Sequence, residues 1–223
     1  MSISQLPTRN LILFDLDGTL IDTAADMYGA MNLALAKLQL PLVTEAQVRQ
    51  WVGKGTAQLC ESVLMHLTGR LEPTQQQQLM QHYLACYSAG LCVNSQPFAG
   101  VVTFLNYCQA QGIAMACVTN KPEGLAKQLL QQLQLDHYFG LTLGGDSLPV
   151  RKPDPLPLLH AAAFFNCSPE QTLMIGDSSN DVEAARNAGI DCIVMSYGYN
   201  HGEDIYACHP QQVIDTLETL IVS

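Results

Sequence analysis

Leu11-Ile12-Leu13-Phe14-Asp15-Leu16-Asp17-Gly18-Thr19 is the stretch on which the reading of this chain turns. Four consecutive apolar residues suit a buried strand, and two carboxylates, a glycine and a hydroxyl follow at once. Ligands of open α/β sheets bind beyond the carboxyl ends of strands, so Asp15 is expected to project into a site crevice, and Asp17 can face the same crevice. One carboxylate can then attack phosphorus while the other holds a proton for the leaving oxygen, because neighbouring acids acquire different pKa values. Gly18 lets the backbone turn and approach an oxyanion closely. Asp, Gly and Thr are also ordinary turn formers, so this string alone could merely close a strand.

Working outward, short apolar runs at Ile113 to Val118, Leu141 to Leu143, Thr172 to Ile175 and Ile190 to Val194 alternate with helical patterns from Gly100 onward. With the run at Leu11 to Phe14 they predict five strands in a parallel sheet covered on both faces. Between the first two strands lies a helical excursion of about 70 residues, too long for a loop. Asp22 or Thr23 can cap its first helix, which carries Met27, Met31, Ala34 and Leu35 and ends at Pro41. Thr44 and Gln47 form a capping-box pattern, Gly53-Lys54-Gly55 breaks the second helix near Trp51, and Leu59, Val63 and Leu67 continue on a third. Met80, Tyr83, Leu84 and Tyr87 mark a fourth, and Val213, Leu217 and Leu220 suggest a terminal amphipathic helix. The fold expected is therefore α/β: a Rossmann-like parallel-sheet core formed by 1–20 and 93–223, with an inserted α-helical cap over 21–92. Hinges are expected near Leu20 to Thr23 and Asn94 to Phe98.

Composition narrows the function. Ten Lys plus Arg against twenty Asp plus Glu give a formal charge of −10, which disfavours a phosphate-tracking surface for nucleic acid and leaves small molecules as the expected partners. Eight cysteines form no Cys-x-x-Cys pair and several lie in apolar strings, as reduced thiols of a cytoplasmic protein would. The start of the chain lacks the basic and apolar segments of a signal peptide, and no apolar stretch approaches membrane-spanning length, so a cytoplasmic location is expected. The sequence leaves the oligomeric state open.

Three further strings follow the first in order: Val118-Thr119-Asn120-Lys121, Arg151-Lys152-Pro153-Asp154-Pro155 and Ile175-Gly176-Asp177-Ser178-Ser179-Asn180-Asp181. In type and order the four resemble the motifs of the haloacid dehalogenase superfamily of phosphohydrolases. Gly144-Gly145-Asp146-Ser147-Leu148-Pro149 and Tyr197-Gly198-Tyr199-Asn200 are, within that superfamily, most similar to bacterial phosphoglycolate phosphatases. The resemblance implies that Asp15 attacks phosphorus to make an aspartyl-phosphate, that Asp17 protonates the departing alkoxide and then activates water, that Thr119 bonds a phosphoryl oxygen, and that Lys152 balances negative charge. Dehalogenases and phosphonate hydrolases of the superfamily lack a carboxylate at the second position and its transport ATPases carry Thr there, so Asp17 favours phosphate esters. A phosphomutase or a sugar-phosphate phosphatase stays open, as does a silent binding module, against which the intact Asp15, Asp17, Lys152 and Asp177 argue.

Carboxylates packed together need a cation, and hard oxygen ligands beside a phosphate select Mg²⁺. The ligands expected are the side chains of Asp15 and Asp177 and the backbone carbonyl of Asp17, with Asp181 supporting them from behind. Substrate contacts are expected from Gly18, Thr19, Lys54, Asn120 and Lys121, with Lys54 the first candidate for the leaving group and Lys121 the second. Plainer roles compete: Thr119-Asn120 could cap a helix, Lys152 could be a loop cation, Asp181 could stabilise its helix dipole, Asp146 could be a turn residue, and Gly53-Lys54-Gly55 could be a surface turn. Arg151 stands where the resembling string commonly has Lys, which alters the anion contacts available.

Overall fold

The computed structural model describes residues 9–221, so the reading of the chain's start as leaderless falls almost wholly outside the described residues. In chain order the elements are β1 (Leu11–Phe14), β2 (Ile21–Asp22), α1 (Ala24–Lys37), α2 (Glu45–Trp51), α3 (Thr56–Thr68) and α4 (Pro73–Ala89). Next come β3 (Gln96–Pro97), α5 (Val101–Ala110), β4 (Ala114–Val118), α6 (Glu123–Gln132), β5 (Leu141–Leu143) and α7 (Leu156–Phe164). The chain closes with β6 (Thr172–Gly176), α8 (Ser179–Ala188), β7 (Asp191–Met195) and β8 (Gln212–Ile214).

Six strands form one parallel sheet in the order β5-β4-β1-β6-β7-β8. Side chains alternate across it as the period of a strand requires. Ile12, Phe14, Met115, Cys117, Leu173 and Ile175 join one buried cluster, and Leu11, Leu13, Ala116, Val118 and Met174 join the other. Both faces are covered, with α5 and α6 against β4 and β5, and α7 and α8 against β1, β6 and β7. The first cluster continues from Phe14 through Leu20 and Ile21 to Met31, Val48, Leu59 and Tyr83 on the helices between β2 and β3.

Two expectations need correction. The stretch 213–220 is not a helix: Gln212–Ile214 adds a sixth strand beside β7, and Leu217–Leu220 forms a short 3₁₀ turn. Thr216, extended at φ −154° and ψ 143°, breaks the helical path that the spacing of Val213, Leu217 and Leu220 imitates. The first helix stops at Lys37, before Pro41, where Gln39 takes a positive φ of 56°. Separately, the two stretches expected as hinges lie side by side as an antiparallel ribbon, Ile21 with Pro97 and Asp22 with Gln96.

The capping box of α2 is present, with Gln47 N–H donating to Thr44 Oγ1 at 3.3 Å and Thr44 N–H to Gln47 Oε1 at 2.8 Å. Asp146 accepts from the first N–H of α6, Glu123, at 2.7 Å, so this turn residue also holds the helix that follows Thr119 to Lys121. All eight cysteines are free. Among the described residues no helix is long and apolar enough to cross a membrane.

Candidate active site

Because β1 lies between β4 and β6, the ends of all three strands meet at the place where the strand order reverses, the usual ligand crevice of such sheets. Asp15 continues the ladder beyond β1, its N–H donating to Ile175 O at 2.9 Å. Thr119 ends β4, its N–H donating to Leu143 O at 2.9 Å, and Asp177 follows β6. All three are buried.

Lys152, 3% exposed, lies between two carboxylates: its Nζ is 2.9 Å from Asp15 Oδ1 and 2.7 Å from Asp181 Oδ1. The second contact is a hydrogen bond; the first is an ion pair off the hydrogen-bonding direction, so buried Asp15 Oδ1 keeps unused lone pairs. Burial opposes charge on this lysine, yet Asp15 and Asp181 outweigh it and raise its pKa. Burial pushes Asp15 up to about 6, with Lys152 pulling it back. Asp177 is raised well above the ordinary carboxylate range, first by burial and then by Asp15 and Asp181.

Asp181 is fully engaged. Its Oδ2 accepts from Asp177 N–H at 3.2 Å, Ser178 N–H at 3.1 Å and Ser178 Oγ at 2.9 Å, while Oδ1 takes Lys152. Asp177 accepts from Thr19 Oγ1 at 3.0 Å and from Tyr199 N–H at 2.6 Å. Gly18 makes that approach possible: at φ +87° its position disfavours an L side chain, and a Cβ there would lie 2.3 Å from Asp177 Oδ2.

Asp17 belongs to a separate group. Its carboxylate accepts from Lys121 Nζ at 2.8 and 3.0 Å and from Thr23 Oγ1 at 2.7 Å. Thr23 was legible only as a helix cap, but its side chain makes no cap bond and serves Asp17 instead. Asp15, Asp17, Thr119, Asn120 and Lys121 line a cavity of about 30 Å³ together with Gly53, Gly55, Tyr83 and Tyr87.

Lys54 is not on that wall. The turn contributes its two glycines and the Gly53 carbonyl, which accepts from Asn120 Nδ2 at 3.1 Å and Asn180 Nδ2 at 3.2 Å. Lys54 instead stands near His201, whose pKa falls to about 4 through burial and the lysine's charge. Arg151 lies against the same turn, its Nη1 2.9 Å from where a Cβ of Gly55 would be. Gly18 and Thr19 face Asp177 and are absent from the cavity wall. Asn120 directs its amide hydrogens to Gly53 O and to Lys152 O at 2.9 Å, bracing two loops.

A divalent cation fits this arrangement. Asp15, Asp177 and Asp181 each bring one carboxylate oxygen within 4.8 Å of the others, and among the described residues Lys152 pairs with two of these three acids, Asp15 and Asp181. Asp15 Oδ1 has lone pairs that no hydrogen bond uses, and burial of Asp177, which has no ion-pair partner among the described residues, disfavours its ionised form.

Residues 12–195 match the family described as haloacid dehalogenase-like hydrolase, and the chain belongs to that family. Its relatives include a phosphoglycolate phosphatase of Nitrosococcus oceani, 42% identical over 213 residues and 95% of each chain. Another, from Colwellia psychrerythraea, is 38% identical over 98% of each. Among solved structures, one described as a predicted phosphoglycolate phosphatase from Haemophilus somnus 129pt superposes with a TM-score of 0.90 at 33% identity, covering 94% of this chain and 95% of that one.

Proposed function

We propose that this protein hydrolyses a small phosphate monoester, 2-phosphoglycolate, to glycolate and inorganic phosphate through a phosphorylated Asp15. The observation that carries the reading is the placement of Asp15 at the head of the central strand, with Lys152 beside it and Asp17 on the same cavity wall. An Asp15 oxygen attacks phosphorus and the ester P–O bond breaks, while Asp17 gives its proton to the departing glycolate oxygen. Asp17 then takes a proton from the water that attacks the aspartyl-phosphate at phosphorus, releasing phosphate and restoring Asp15.

Thr119 Oγ1 accepts from Lys121 N–H at 3.2 Å, which leaves its own O–H to donate to a phosphoryl oxygen. Lys152 offsets the charge gathered on Asp15 and the transferring group. Asp15, Asp177 and the carbonyl of Asp17 would hold Mg²⁺, with Asp181 fixed behind them by its own hydrogen bonds. The ion supplies charge neutralisation and orientation of the phosphoryl oxygens when bound.

The glycolate ester is supported by the named relatives, which are phosphoglycolate phosphatases. Helices α1 to α4 act as a cap that rocks on the β2–β3 ribbon to admit the ester and then excludes water. The free cysteines and acidic composition suit a cytoplasmic enzyme of small metabolites that binds no nucleic acid.

The test is phosphate release from 2-phosphoglycolate against a panel of sugar phosphates, with Mg²⁺ and with a chelator. Expected are a preference for 2-phosphoglycolate, loss of turnover on chelation and a fall of about 10³-fold or more in Asp15→Asn. Preference for a sugar phosphate would refute the substrate, and turnover retained in the folded variant would refute the mechanism.

A further inference from the structure

Tyr87 is a buried polar group that nothing in the fold explains. It projects from α4 on the buried face that also carries Leu79 and Tyr83, and its ring stacks on Tyr83 at 5.5 Å and 11°. The residue is 1% exposed, and its hydroxyl has no hydrogen-bond partner among the described residues. A phenylalanine would fill the same space without an unsatisfied buried hydroxyl, so the oxygen calls for another explanation.

Its surroundings supply one. Tyr87 lines the same cavity as Asp15 and Asp17, and Lys121 Nζ sits 4.7 Å from the centre of its ring while pairing with Asp17. Burial, with the charge of Asp17 adding to it, keeps the phenol protonated and therefore a donor. Lys121 gives its hydrogen bonds to the two Asp17 oxygens, and an ammonium carries three N–H donors. A carboxylate one methylene away from the leaving oxygen can accept the third together with the phenol.

Resting on the phosphatase reading above, we infer that the Tyr87 hydroxyl and the Lys121 ammonium form the subsite for the carboxylate of the leaving group. The cap thus selects the acidic ester through α4, and not through the Gly53-Lys54-Gly55 turn.

The test compares 2-phosphoglycolate with ethyl phosphate, in which a methyl replaces the carboxylate, in the wild-type protein and in Tyr87→Phe. The variant keeps the ring, its stacking and the cation over it. The expected result is that kcat/KM for 2-phosphoglycolate falls about tenfold more than kcat/KM for ethyl phosphate, with no loss of thermal stability. Equal losses on both esters, or no loss on either, would overturn the subsite while a wild-type preference for 2-phosphoglycolate keeps the functional reading intact. A wild-type protein that does not prefer 2-phosphoglycolate overturns both.

Discussion

Lys152 shows how much of the site depends on single side chains. It is one ammonium buried between two carboxylates, and removing it leaves Asp15 and Asp181 facing each other without compensation. Lys152→Ala is expected to destabilise the protein by about 3–5 kcal/mol in urea denaturation at neutral pH and to reduce phosphate release to background. A loss below about 1 kcal/mol would contradict the buried pairing. Asp15, Asp17, Thr119, Lys152, Asp177 and Asp181 were legible because each follows an apolar run or sits in a short string with its partners. Asn180 and Tyr87 were not, because their roles arise from contacts across the fold, and neither was Thr23, whose bond to Asp17 six residues back depends on the turn between them. Thr23 reads as a cap, and Tyr87 shares the helical spacing of Met80, Tyr83 and Leu84 that any core-facing helix shows.

At the scale of elements, Asp26 ties the two ends of the helical segment together. From the first turn of α1 its Oδ2 accepts from Val93 N–H at 3.0 Å, Ser95 N–H at 2.8 Å and Ser95 Oγ at 2.7 Å, and its Oδ1 accepts from Asn94 N–H and Asn94 Nδ2 at 2.9 Å. Burial pushes this acid up, but the hydrogen bonds from Ser95 and Asn94 outweigh it and hold its pKa below 3.8. A pKa lowered by folding contributes stability that is complete above the unfolded value and lost as pH falls through the folded one. Asp26→Ala is therefore expected to cost about 2–4 kcal/mol at pH 7, a difference that shrinks only below about pH 4. Urea denaturation of both proteins from acid to neutral pH measures it, and a difference independent of pH would contradict the clamp. The strands at Leu11–Phe14 and Leu141–Leu143 were legible to the residue because their apolar runs are bounded by turn formers. At Gln212–Ile214 the strand is three residues long, and its apolar neighbours at 217 and 220 complete a false helical period.

Across the whole molecule, the sheet order brings together residues far apart in the chain. The sequence showed that Asp15 and Asp177 each follow a strand, but their convergence required those strands to be neighbours, which the pairing of Leu11 with Thr172 and Phe14 with Ile175 provides. The apolar cluster that runs from the sheet into the helices sets Tyr83 and Tyr87 against the strand ends, so one core supports both walls of the cavity. The proposed reaction centres on covalent attachment of phosphate to Asp15. Rapid acid quench during turnover of 2-phosphoglycolate, followed by borohydride reduction and peptide mass spectrometry, reads that step directly. The account predicts conversion of Asp15 to homoserine in quenched turnover and its absence without substrate; phosphate release with Asp15 unmodified, or with another carboxylate modified instead, would contradict it.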